Sequence, residues 1–146
     1  MRVTKALNRM SRLYRAAKAR RLAALGLHPG QDVLLWLLAQ EPDGMTVSVL
    51  AARLGVEPPT ATRSLARLGA AGWFRRESVP GDRRQVRVVV TDAGRTLVPE
   101  IERVWSDLAA SVLGTATGAE RGILLSALER ANDRLYADVG DEVEVA

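Results

Sequence analysis

Apolar residues open the chain at Val3, Leu7, Met10, Tyr14 and Ala17, alternating spacings of four and three, with basic residues on the other faces. That period predicts a helix from Val3 to about Leu25 with a packed seam. The pattern fades at Arg21, which excludes a long coiled coil. The seam suits either a core-packed first helix or a contact with a partner subunit, and a helix this basic also suits phosphates. Gly26-Leu27 predicts its stop. Pro29 fits the first turn of the next helix, and His28 before it reads as a loop or cap residue. Gln31–Gln40 is apolar on most sides through Val33, Leu34, Leu35, Trp36, Leu37 and Leu38, the pattern of a buried helix.

The middle of the chain changes period. Pro42-Asp43-Gly44 marks a turn, Met45-Thr46 suits a short strand, and Thr46 can cap a helix over Val47–Leu54. In that helix Leu50 and Leu54 face inward and Ala51 permits a close crossing. Gly55 supplies a tight turn. Pro58 and Pro59 then fit the first turn of a helix over Pro58–Gly69. Ala61, Leu65 and Leu68 take its core side, which leaves Thr60, Thr62, Arg63, Ser64 and Arg67 for the outer sides. Helix, glycine turn, helix is a helix-turn-helix pattern. Gly72 closes the second helix and Trp73–Ser78 reads as a strand. Val79-Pro80-Gly81-Asp82 suits a type II turn. The return strand sets Val86, Val88 and Val90 on one face and Gln85, Arg87 and Val89 on the other. A helix pair followed by a basic hairpin predicts a winged helix-turn-helix.

Thr91 and Asp92 suit the start of another helix, with Leu97, Ile101, Val104, Leu108 and Val112 as its stripe and Trp105 at the border. Gly114–Gly118 is a break. The last helix carries Leu124, Leu128, Ala131 and Leu135, and the acidic residues 139–146 are expected to fray. No linker divides the chain, so 1–146 reads as one domain. The fold class is mainly α with a small β-wing (α+β).

Composition narrows the function. Apolar residues make up 47% and charged residues 26%, the balance of a globular chain. The longest apolar run, Val33–Ala39, is too short to span a bilayer. The N-terminus lacks the pattern of a secretory signal, so a cytoplasmic protein is expected. There is no cysteine and one histidine, which removes disulfides, thiolate metal sites and a histidine-rich metal site. No cofactor is expected. Nor is there a Cys-His or Ser-His-Asp arrangement, a Gly-rich phosphate loop or a pair of catalytic carboxylates, so an enzyme is not expected.

Net charge is only +4, but it is unevenly spread. Residues 1–31 carry eight basic groups and no acid, 53–95 carry nine arginines against four acids, and 96–146 carry four arginines against ten acids. A basic middle and an acidic tail imply one surface for a polyanion and another turned away from it.

At these residues the chain resembles the MarR family of bacterial regulators (multiple-antibiotic-resistance regulators). Leu50 to Leu68, LAARLGVEPPTATRSLARL, is similar to the family's helix-turn-helix. Leu68, Gly72-Trp73-Phe74 and Arg76 resemble its entry into the wing. Gly81-Asp82-Arg83-Arg84, then Val90-Thr91 and Gly94, resemble its wing signature, with Val90 where the family usually has Leu. The opening GLHPGQ and the order of helices fit as well, so the resemblance spans nearly the whole chain. It implies a winged helix-turn-helix lobe over 31–97, flanked by dimerisation helices over 1–30 and 98–146. It also implies a homodimeric transcriptional regulator, most often a repressor relieved by a small ligand. The alternatives are a winged-helix module that binds protein, or a non-specific architectural DNA binder.

On this reading the helix Pro58–Gly69 enters the major groove of double-stranded DNA at a pseudo-palindromic operator. Thr60, Thr62, Arg63 and Ser64 face base edges and nearby phosphates, and Arg67, one turn on, reaches phosphate. Family position assigns Arg84 to the minor groove, where narrow A-tracts attract arginine. Arg83, Arg75 and Arg87 are phosphate candidates. Ser48, early in its helix, suits a phosphate beside free backbone N–H groups. Asp82 shapes the wing tip by pairing with a neighbouring arginine, and Arg76 is either that partner or a ligand's counter-ion. Tyr14, His28 and Trp36 are the candidates for an aromatic or anionic effector, against a plain reading as core and turn residues.

Overall fold

A computed structural model describes the chain except Pro80, Ala146 and the side chains of residues 82–85 and 139–145. The first helix, α1 (Arg2–Ala23), ends where sequence predicts. Leu27 N–H donates to the Leu22 carbonyl and Gly26 N–H to that of Ala23, with Gly26 at φ 71°. That crossed pair requires a left-handed residue, which glycine supplies, and it turns Leu22 and Leu27 into the core together. α2 (Gln31–Ala39) starts at the expected residue and ends one residue short of Gln40. Gly30, at φ 97°, is its N-cap, so Pro29 lies in the turn before the helix rather than in its first turn.

β1 (Met45–Thr46) leads into α3 (Val47–Leu54), and α4 (Pro58–Gly69) follows Gly55. β2 (Phe74–Val79) and β3 (Asp82–Val90) form the hairpin, and β1 adds to it as the third strand in the antiparallel order β1-β3-β2. Phe74 stands opposite Val90 and Met45 opposite Val88. Val88 and Val90 are buried as expected, but Val86 on the same face is exposed, because the hairpin outruns the core that covers its base. Val89 on the other face is buried too, since the turn at Gly44 closes over it. A Cβ at Gly44 would collide with the Val88 carbonyl and the Val89 side chain.

α5 (Asp92–Leu113) begins against the sheet. Thr91 Oγ1 accepts the Gly94 N–H at 3.2 Å and donates to the Gly72 carbonyl at 2.7 Å. α6 (Gly118–Val145) starts at Gly118, which the sequence placed in the break, and stays helical through the acidic stretch expected to fray.

The chain divides into two units, 1–108 and 109–146. The first holds the core: Leu22, Leu34, Leu35, Leu38, Leu50, Leu65, Leu68, Val88, Val90 and Ile101. The predicted seam of α1 is not part of it. Val3 is 72% exposed, and Leu7, Met10 and Tyr14 are exposed as well. In the second unit no described residue of α6 is buried, and Ile123, Leu125 and Leu135 are 71%, 57% and 60% exposed.

Candidate nucleic-acid interface

The helix pair is built from local signals. Thr46 caps α3 by accepting the Val49 N–H, which leaves Ser48 exposed in the first turn. Gly55 sits in the left-handed region at φ 63° and ψ 40° and reverses the chain. Pro58 and Pro59 take the first two positions of α4, where a missing N–H breaks no helical bond. Ala61, Leu65 and Leu68 are fully buried. At 3.6 residues per turn that stripe fixes the opposite face. Arg63 points most directly away from the core, with Thr60 and Arg67 beside it, all exposed, and Ser64 half-buried at the edge. Thr62 is exposed but donates its hydroxyl to the Pro58 carbonyl at 2.9 Å, so only its acceptor side remains open.

The hairpin supplies the second half of the surface. Gly81 has φ 87°, the value its position in the expected turn demands. The strand register sets Arg75, Glu77, Arg87 and Val89 on one face. Glu77 stands opposite Arg87 and pairs with Arg75 Nε at 2.5 Å. An acid therefore sits between two of the expected phosphate contacts, and Arg75 has an intramolecular partner. Arg76 lies on the other face, opposite Val88. Asp82 stands opposite Val79, three residues from Arg76 along β2, roughly 10 Å of strand. The side chains of Asp82, Arg83 and Arg84 lie outside the described residues.

The three effector candidates are not gathered. Tyr14 is 40% exposed on α1. His28 is exposed, and its backbone serves the start of α2: its N–H donates to Gln31 Oε1 and its carbonyl accepts the Gln31 N–H. Trp36 packs at 5.7 Å against Trp105 and donates its indole N–H to Glu102 Oε1 at 2.9 Å. An open groove of about 520 Å³ runs along Ser11, Arg12, Arg15, Ala16, Ala19 and Pro29, and none of the three lines it.

Two features besides Glu77 escaped the sequence reading. Asp32 is fully buried and holds Lys18, Gly30 and Trp105. Its only sequence signal is an acid in an otherwise apolar helix. The second is a capping box on α6. Thr117 Oγ1 accepts the Glu120 N–H, and Glu120 Oε2 accepts the Thr117 N–H at 2.7 Å. The Thr-x-x-Glu spacing is itself the signal of such a box. Among the described residues no cluster of His, Cys, Asp and Glu could hold a metal ion, and no helix is long and apolar enough to cross a membrane.

Comparison with known proteins agrees with this geometry. The sequence model of the MarR family matches residues 25–85. The uncharacterized HTH-type transcriptional regulator Mb0904 of Mycobacterium bovis is 40% identical over 95 residues, 65% of this chain and 66% of that protein. The match therefore spans about two thirds of that relative's length. The crystal structure of the transcriptional regulator PA3341 is 32% identical, covers 92% of this chain and 98% of its own, and superposes with a TM-score of 0.74. A mutant MarR from E. coli, complexed with operator DNA, shares the fold with a TM-score of 0.79 at 22% identity, over 90% of this chain and 94% of its own.

Proposed function

The chain belongs to the MarR family of transcriptional regulators, which are not enzymes, and from that premise we propose that two copies of it read a pseudo-palindromic operator in double-stranded DNA. The observation that carries this reading is the outer face of α4. Its buried stripe of Ala61, Leu65 and Leu68 leaves Arg63 pointing outward, flanked by Thr60 and Arg67, on the second helix of a helix-turn-helix followed by a basic wing. A guanidinium held this way suits guanine O6 and N7. Ser48 at the start of α3 suits a phosphate, and Arg84, by its family position, the minor groove. The operator complex of the E. coli MarR mutant supports the same use of the fold.

Pairing of two chains is supported by what each leaves uncovered. The seam of α1 stays exposed, and α6 buries none of its described residues. A helix with no core of its own is stabilised by packing against something else. We assign residues 31–97 to DNA reading and 1–30 and 98–146 to pairing. The protein would act in the cytoplasm, as a repressor that a small aromatic or anionic ligand releases from DNA. Arg12 and Arg15 in the groove of α1 are cationic groups suited to an anionic effector, apart from the candidates Tyr14, His28 and Trp36.

Fluorescence anisotropy against the DNA upstream of its own gene, with a shuffled duplex as control, tests the proposal. Wild type and Arg84→Ala are compared at several salt concentrations. Tight, selective binding that weakens in the variant is expected, with a salt slope of roughly −7 for about eight phosphate contacts per dimer. Equal affinity for both duplexes would indicate an architectural binder. No binding at low salt would indicate a protein-interaction module.

A further inference from the structure

Asp32 is the one fully buried charged side chain among the described residues. Its Oδ1 accepts the Gly30 N–H at 2.9 Å. Its Oδ2 meets Lys18 Nζ at 2.6 Å and accepts the indole N–H of Trp105 at 2.7 Å. The Lys18 ammonium also lies 5.7 Å from the centre of the Trp105 ring, so the cation is held by carboxylate and π-face together. One carboxylate therefore joins α1, the N-terminus of α2 and α5. One turn along, Trp36 of α2 donates to Glu102 of α5 at 2.9 Å, and the two indoles touch between the rungs. Asp32 and Trp36 are four residues apart on α2, and Glu102 and Trp105 three apart on α5. The partners run in opposite order, so the contacts form a two-rung ladder between antiparallel helices.

Stability alone does not account for such a node. Burying an ion pair costs desolvation that the pair's attraction often fails to recover, and apolar residues of similar volume commonly serve as well or better. Direction is what it adds. Apolar contacts tolerate sliding, whereas hydrogen bonds of 2.6–2.9 Å weaken steeply once their angles change. The ladder fixes the rotation and translation of α2 against α5, and Lys18 fixes α1 against both. α2 packs on α3 and on the sheet that carries the wing, while α1 bears the uncovered seam.

We propose that Asp32, with Lys18 and Trp105, positions the DNA-reading lobe on the pairing helices and so sets the distance between the two α4 helices of a dimer. The inference rests on the dimeric, DNA-binding reading above. Asp32 touches no DNA and acts through the helices it joins, as a positioning residue.

The chain has no cysteine, so Ala66→Cys on the exposed side of α4 gives one spin label per protomer. The distance between labels is measured by double electron–electron resonance in full-length dimers, with and without Lys18→Met plus Asp32→Asn. This paired change leaves no lone buried charge, and Trp105→Phe, which removes a single donor, is the second variant if the pair fails to fold. In parallel, affinity is measured for the upstream pseudo-palindrome and for the same duplex with one half scrambled. The expected result is a sharp distance in the parent and a broadened one in the variant. Affinity for the full site falls about tenfold, within the usual range of coupling between sites, while half-site affinity is unchanged. An unchanged distance distribution in a folded variant overturns the proposal, as does an equal loss on both duplexes. A sharp parental distance with no DNA binding would overturn the DNA reading while the distance arm still decides the positioning role.

Discussion

Arg63 faces away from every residue that holds α4 in place, so replacing it should alter recognition and nothing else. Arg63→Ala is expected to lose roughly 1–3 kcal/mol of discrimination at one base position, the worth of a bidentate arginine–guanine pair. A competition assay across single-base operator variants measures this, with an unchanged thermal midpoint as control. Residues of this kind were legible because their placement is decided within one or two turns. The buried stripe Ala61, Leu65 and Leu68, the cap at Thr46 and the left-handed Gly55 all follow from near neighbours. Asp32 was not legible, because its partner Trp105 lies 73 residues away and no local pattern announces the pairing. Glu77 was missed for a similar reason. Its position between Arg75 and Arg87 depends on the strand register, which is set by the turn and a shift between Ser78 and Val79.

Elements meet most closely where α5 leaves the sheet. Gly94 sits so near the strand entry that a Cβ would collide with the Trp73 carbonyl and the Val90 side chain. The obstacle is backbone, which cannot rotate aside. Gly94→Ala should therefore destabilise the protein by about 1–3 kcal/mol, the usual cost of overpacking, and thermal unfolding against wild type reads it directly. At the other junction the capping box governs α6. The backbone N–H of Thr117, and then its hydroxyl, bond the Glu120 carboxylate and hold its pKa below the ordinary carboxylate value. A lowered folded value means that the contribution is present above the unfolded pKa and is lost as pH falls through the folded one. Helicity of α6 should thus weaken on acidification below the usual carboxylate range. Glu120→Gln should show less of that acid-dependent loss, as followed by circular dichroism. Element order was readable from period and punctuation, as was the Thr-x-x-Glu cap in principle. The place of Pro29 was less so: it fits a first helical turn, but Gly30 takes the cap of the helix that starts at Gln31 and leaves Pro29 in the turn before it.

For the molecule as a whole, exposure is the deciding property. Val3, Leu7 and Met10 on α1 and Ile123, Leu125 and Leu135 on α6 all remain uncovered in a single chain. Stability should then depend on association. The thermal midpoint is expected to rise with protein concentration, as mass action requires of a folded dimer, and scans over a hundredfold range check it. A midpoint independent of concentration would contradict pairing. The seam on α1 was visible as a period, yet a period cannot distinguish a core from a second subunit, since both demand the same apolar stripe. The distribution of burial also has a consequence for synthesis. Every buried residue among those described lies at or before Leu108. The ribosome delivers the chain from its N-terminus, so the lobe proposed to read DNA has all of these buried residues in hand before the last helix emerges. Folding of the proposed reader would thus precede the proposed pairing, and a nascent chain released early would carry the outer face of α4 without the helix proposed to pair it.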